Sequence, residues 1–273
     1  MVVEISLNIS CRTGLAVLIT MNPQPTQTAN GYDQFGKEYH SYRKSAENFY
    51  NSMIDMPAVL SFLEDINGKK ILDIGCGSGL YSAILQQRGA VVTGIDISKT
   101  MLQIARQEVK DAKFHFADIT DMSFPDKSFD FAMSALMLGY VENWDQAFKE
   151  VRRILKPGGI FIFSIFNPVL ECREEAELGG KKYKIMGNSK DNATVIGDYF
   201  NQRWFGFKLM KNMESKSHHK TYETIINTIL QNGFSIEGYK DAKPIAQGKT
   251  VSPLDYEKYS KLPIFCVFKV KKK

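Results

Sequence analysis

The chain has 273 residues, 44% hydrophobic and 24% charged, with a formal net charge of +5 that lies largely in Lys269 and Lys271 to Lys273, a solvated chain end. That size and balance suit a soluble globular protein with one large α/β domain or two small ones, and no stretch interleaves basic with aromatic residues, which argues against nucleic-acid binding. Cys11, Cys76, Cys172 and Cys266 lack the spacing of a metal or redox site, so no metal centre or disulfide framework is expected, and a reducing cytoplasm suits the chain.

The apolar run Leu15 to Ile19 is too short to span a bilayer, and Glu4, Asn8, Arg12 and Gly14 spoil any signal-peptide pattern, so no membrane insertion is expected. Residues 1–30 read as a disordered extension, with Met21 as an alternative start. Residues 31–66 read as a helical cap with interspersed Tyr, Phe and Met. A core over 67–166 then alternates strand-length apolar runs with amphipathic segments, the signature of βαβ units and a mainly parallel sheet. Its strands are expected at Lys70–Ile74, Val91–Ile95, Lys113–Ala117, Phe129–Ser134 and Gly159–Phe166. The pair Pro157-Gly158 is expected to separate a helix over Trp144–Leu155 from the last of these. Residues 167–220 break the alternation and read as a substrate lid. Residues 221–273 supply a helix, Tyr222–Asn232, and strands at Ser235–Lys240 and Pro263–Val270.

The sharpest local feature is Ile71-Leu72-Asp73-Ile74-Gly75-Cys76-Gly77-Ser78-Gly79, a strand running into a turn and then a helix near Leu80. Gly75, Gly77 and Gly79 let the backbone turn tightly and expose bare peptide N–H groups to an anionic ligand group such as a carboxylate. The spacing is G-x-G-x-G, without the third glycine of the dinucleotide fingerprint. About twenty residues on, Gly94-Ile95-Asp96 ends the second strand with an acid placed to accept hydrogen bonds from ribose hydroxyls. Asp118, ending the third strand, can accept from an adenine amino group, with Ile97, Met101 and Ile119 as apolar walls. Ala135, at the tip of the fourth strand, completes the cofactor-binding set. Amino acid, ribose and base would thus be addressed by successive strand ends, and S-adenosylmethionine (SAM) carries all three.

The segment Ile71–Phe166 resembles the class I SAM-dependent methyltransferases, particularly the methyltransferase type 11 group. The matching motifs are Leu72 to Gly79, Gly94-Ile95-Asp96, Phe116-Ala117-Asp118, Phe124 to Asp130 and Leu155-Lys156-Pro157-Gly158-Gly159. The resemblance implies a Rossmann-like sheet of seven mostly parallel strands with helices on both faces and the last strand antiparallel. It also implies that the run from Gly31 to Tyr39 folds over the cofactor, with Tyr32 and Tyr39 helping to close it.

Several residues carry two readings. Asp73 either contacts the amino end of the cofactor through water or braces the glycine turn, and Asp118 either meets adenine or caps its own turn with Thr120 and Asp121. Cys76, part of the cofactor-binding set by its place in the glycine turn, lacks a basic neighbour and reads as a small filler rather than a reactive thiol. Tyr140 and Asn167 follow the fourth and fifth strands and are candidates for substrate contact. Tyr199, Trp204 and Phe205 either shape an apolar pocket or simply pack. The resemblance places a substrate-facing histidine near His219, which makes it the candidate base, whereas His218 reads as solvated.

The expected activity is in-line transfer of a methyl group from SAM to an oxygen or nitrogen of a small metabolite, leaving S-adenosylhomocysteine (SAH). Alternatives are C-methylation of a quinone-type ring, a non-catalytic SAM-binding protein, and an NAD-linked dehydrogenase. A monomer or homodimer is expected.

Overall fold

The computed structural model describes residues 24–45, 48–171, 176–178, 181–183, 199–210 and 213–273. Helix α1 (Gln24–Lys44) leads through a π-helical turn (Tyr50–Asp55) into α2 (Met56–Leu60). The core follows as β1 (Lys70–Ile74), α3 (Leu80–Gln87), β2 (Val91–Asp96), α4 (Lys99–Glu108), β3 (Lys113–Phe116), β4 (Phe129–Ala135), α5 (Trp144–Ile154) and β5 (Leu155–Phe166). Next come α6 (Pro168–Glu171), the short strands β6 (Ala176–Leu178) and β7 (Lys181–Tyr183), and a hairpin of β8 (Trp204–Met210) and β9 (Met213–His218). The chain ends with α7 (Tyr222–Gln231), β10 (Phe234–Asp241), α8 (Gly248–Val251), α9 (Pro253–Lys261) and β11 (Phe265–Lys272).

Seven strands form one sheet in the order β10-β11-β5-β4-β1-β2-β3. Every core pairing is parallel except those of β11, which runs antiparallel to both β5 and β10. The strand order reverses between β1 and β4, so the loops leaving their tips diverge and open a crevice. Apolar runs cover both faces. On one, Phe148, Phe161, Phe163, Phe234 and Phe268 pack beneath α5 and α7; on the other, Ile71, Val92, Ile162 and Val267 meet Ile54, Val59 and Leu85. The helices start where side chains can accept from the unpaired N–H groups: Ser98 caps α4, Asn143 caps α5 and Thr221 caps α7.

Three expectations are corrected. Gln24–Asn30, placed in a disordered extension, form the first turns of α1; their polar sequence offers no apolar stripe to read. Residues 1–23, including Met21, lie outside the described residues. Pro157-Gly158 does not precede β5 but lies inside it, within a bulge where the partners of β4 jump from Leu155 to Ile160. Gly158 has φ 72°, which such a kink demands. The region 167–220 contains the β8–β9 hairpin, whose alternating Phe205, Phe207 and Leu209 share one face. Among the described residues no helix is long and apolar enough to cross a membrane.

Candidate active site

The turn after β1 is shaped by its glycines. Gly75, Gly77 and Gly79 have φ of 69°, 54° and 83°, the left-handed region that side chains avoid. A Cβ on Gly75 would lie 2.3 Å from Met137 Cγ. The amides of Gly75 and Cys76 both donate to Ile95 O, at 2.8 and 2.9 Å, strapping the turn to β2. At the next step Gly77 N donates to Asp96 Oδ2 and Ser98 N to Oδ1, each at 2.8 Å. Asp96 is therefore held by two peptide groups, and each oxygen keeps lone-pair capacity for a ribose hydroxyl. Burial pushes its pKa up, against the N–H groups of Ser98, Gly77 and Ile97 that favour the carboxylate.

Asp73 is buried, and Ser82 Oγ donates to its Oδ2 at 2.7 Å, which realises the bracing role; the side chain also reaches the cavity wall. Burial pushes its pKa up to about 6, with the Asp96 charge adding to the effect. That value exceeds the ~3.9 of an exposed aspartate, so between these pH values the folded state binds more protons than the unfolded one. Stability contributed by the protonated group is full at low pH and is lost as pH rises from about 4 towards 6. Asp73→Asn keeps an acceptor for Ser82 without the charge. It is expected to raise stability by about 2–3 kcal/mol above pH 6 and by nothing at strongly acid pH, read by urea titration. A gain equal at both pH values would contradict this.

Asp118 Oδ1 accepts from Thr120 N at 2.8 Å and Thr120 Oγ1 at 2.6 Å, so one oxygen caps its own turn and Oδ2 is left for a ligand. Ile97, Met101 and Ile119 stand beside it along the same wall. Cys76 is buried there as well, its thiol pKa pushed up by burial, which fits a filler.

The cap closes the other side. Asp33 Oδ1 accepts from Ser98 Oγ at 2.6 Å and Thr100 N at 3.0 Å, docking α1 on the start of α4. Tyr32 and Tyr140 share a hydrogen bond of 3.0 Å, and the Tyr32 ring meets the edge of Tyr39 at 5.2 Å. Burial pushes the Tyr140 pKa up to about 12, so the phenol stays neutral. Arg43 Nη1 donates to Tyr39 Oη at 3.1 Å, while its Nε is sealed from solvent with no partner among the described residues. A sealed guanidinium facing a cavity is suited to an anionic ligand group such as a carboxylate.

Most of these groups line one cavity of about 690 Å³. Tyr32, Tyr39, Asp73, Gly75, Cys76, Gly77, Asp96, Ile97, Met101, Asp118, Ile119, Ala135 and Tyr140 lie on its wall. Gly79 does not; it starts α3 and lets that helix approach Ala105 and Val109. Sequence reasoning missed Arg43, although it lies one helical turn after Tyr39, and missed the apolar end formed by Phe166, Phe207, Leu209, Tyr259, Ile264 and Phe265.

The remaining substrate candidates stand off the cavity. Asn167 donates to Asp241 and accepts from Val169 N, and Trp204 packs edge-on to His218 at 5.1 Å. Tyr199 Oη accepts from Tyr222 N at 2.7 Å. His219, the candidate base, is buried with Nε2 2.8 Å from Tyr199 O. His218 is not solvated as expected: burial and the Lys220 ammonium lower its pKa to about 4. His219→Ala is expected to cost about 1–3 kcal/mol of stability and leave SAH affinity intact, by melting and calorimetry. Loss of SAH binding by a folded variant would contradict that placement.

The switch-point crevice, the glycine turn and the acid-tipped second and third strands define the class, that of a SAM-dependent methyltransferase. More particularly, residues 72–163 match the family described as a methyltransferase domain. A SAM-dependent methyltransferase from Mesorhizobium loti has the same fold, with a TM-score of 0.65 and 28% identity over 84% of this chain and 99% of that one. An uncharacterized protein of Haemophilus influenzae is 27% identical over 219 residues, which are 75% of this chain and 82% of that protein. Demethylmenaquinone methyltransferase of Tropheryma whipplei is 35% identical over 151 residues, but these cover 48% of this chain and 62% of that enzyme.

Proposed function

We propose that the protein methylates an oxygen or nitrogen of a small metabolite with an apolar body. The observation that carries this reading is the continuity of the cavity, which runs from Asp96 and Asp118 to Phe166, Phe207 and Phe265 without a break. The bound cofactor supplies an electrophilic methyl group on a sulfonium. Asp96 would hold its ribose, Asp118 and the Ile97–Met101–Ile119 wall its base, and Arg43 with the glycine turn its carboxylate. The aromatic end would exclude water and align the acceptor, which is the main task when the methyl is already activated. No nucleic-acid or protein acceptor is part of this reading.

A second reading, transfer to a ring carbon of a quinone-type acceptor, is favoured by the likeness to the demethylmenaquinone enzyme. Incubating the protein with labelled SAM and a metabolite extract separates the two. A product that gains one methyl as an ether, ester or amine supports the first, and a C-methylated ring supports the second. Label found only in macromolecules would contradict both.

A further inference from the structure

A π-helical turn is rare and re-aims side chains, often at functional sites. The turn Tyr50–Asp55 places Tyr50 and Asn51 on the cavity wall and Asp55 in full burial at its other end. Asp55 Oδ2 accepts from Tyr81 Oη at 2.6 Å, and its Oδ1 has no hydrogen-bond partner among the described residues. Tyr81, from the first turn of α3, also lines the cavity. Ser164 faces the same carboxylate from β5, and its Oγ accepts from Leu136 N at 3.1 Å, so the pair lies beneath the tips of β4 and β5. A buried acid in contact with a phenol on the cavity wall is favoured as a carboxylate by the Ser164 and Tyr81 hydroxyls and by one cation, the Arg43 guanidinium.

We propose that Tyr81 accepts the proton of a neutral hydroxyl on an apolar ring, with Asp55 positioning Tyr81 and receiving its proton in turn. This rests on the O-methylation reading above. The acceptor oxygen forms the new bond to carbon, and the S–CH3 bond breaks with its electron pair left on sulfur. The hydroxyl proton moves to Tyr81 Oη, and the Tyr81 proton moves to Asp55 Oδ2. A sulfonium cation and a carboxylate anion are both neutralised, so no charge is stranded in a site of low dielectric. Burial holds the Asp55 pKa above the ordinary carboxylate range, while Ser164, Tyr81 and Arg43 pull it down. The Tyr81 pKa is raised by burial and by the Asp55 charge, so the phenol carries its proton at rest. Asp73 also acts on Tyr81, and Tyr39 neighbours Arg43.

The test compares two acceptors in mildly alkaline buffer: 4-nitrophenol, which is already ionised there, and 2-naphthol, which is neutral. The full chain, Tyr81→Phe and Asp55→Asn are each assayed for SAH binding by calorimetry and for transfer from labelled SAM. Both variants are expected to bind SAH within about threefold of wild type and to lose about a hundredfold or more on 2-naphthol, keeping 4-nitrophenol within about tenfold. Should Asp55→Asn fail to fold, Tyr81→Phe, which removes one oxygen, decides alone. An equal fall on both phenols, no fall on either, or a wild type that methylates neither overturns the proposal. Label entering a metabolite extract in that last case leaves the methyltransferase reading standing; no label there either removes it as well.

Discussion

Asp96→Ala is expected to weaken SAH binding by roughly a hundred- to a thousandfold. Hydrogen bonds to a charged acceptor contribute about 1.5–3 kcal/mol each, and a ribose presents two hydroxyls to this carboxylate. Two bonds near the lower end of that range, about 3–4 kcal/mol together, convert to that factor. The same substitution removes the acceptor of Gly77 N and Ser98 N, so the glycine turn also loses its tie to β2. Fold stability should fall by about 1–3 kcal/mol, because the two peptide N–H groups stay behind without their acceptor, and the loss of a desolvated carboxylate offsets part of that cost. Calorimetry with SAH and a melting curve read the two effects separately. A folded variant that binds SAH as wild type does would show that the ribose is held elsewhere.

Gly75→Val is expected to abolish measurable SAH binding and cost about 2–4 kcal/mol of stability. At φ 69° a β-branched residue is strained, and its Cβ would lie 2.3 Å from Met137 Cγ and 2.8 Å from Met137 Cβ. Both contacts are near the backbone end of Met137, so the methionine cannot swing clear, and the turn must shift. That shift carries Gly77 N away from Asp96. Gly75→Ala should show a smaller version, and adding Met137→Ala to it should recover the part due to Cγ but none due to φ or to the Cβ that alanine keeps. Full recovery would assign the whole effect to the clash.

The sequence was most legible where one local signal sufficed. β1 and β2 are apolar runs closed by glycine or an acid, β4 is an apolar run as well, and the bounds of all three differ from expectation by no more than a residue. Gly75, Asp96 and Met101 were expected together at the strand tips or just beyond them, and all three line the one cavity. Asp55 and Tyr81 are 26 residues apart and meet only through the packing of the cap on α3. No spacing announces such a pair. His219 shows the converse: it follows β9, where a base was expected, but it is buried with its Nε2 2.8 Å from Tyr199 O and does not line the cavity. The apolar end of the cavity is assembled from β5, β8, α9 and β11, so no single segment displays it.

Titration of the purified full-length chain with SAH tests the account most directly. Saturable binding to a single site, lost in Asp96→Ala and sharply reduced in Arg43→Met, is the result it predicts. A folded wild type with no affinity for SAH or SAM would contradict it, whatever else the cavity bound.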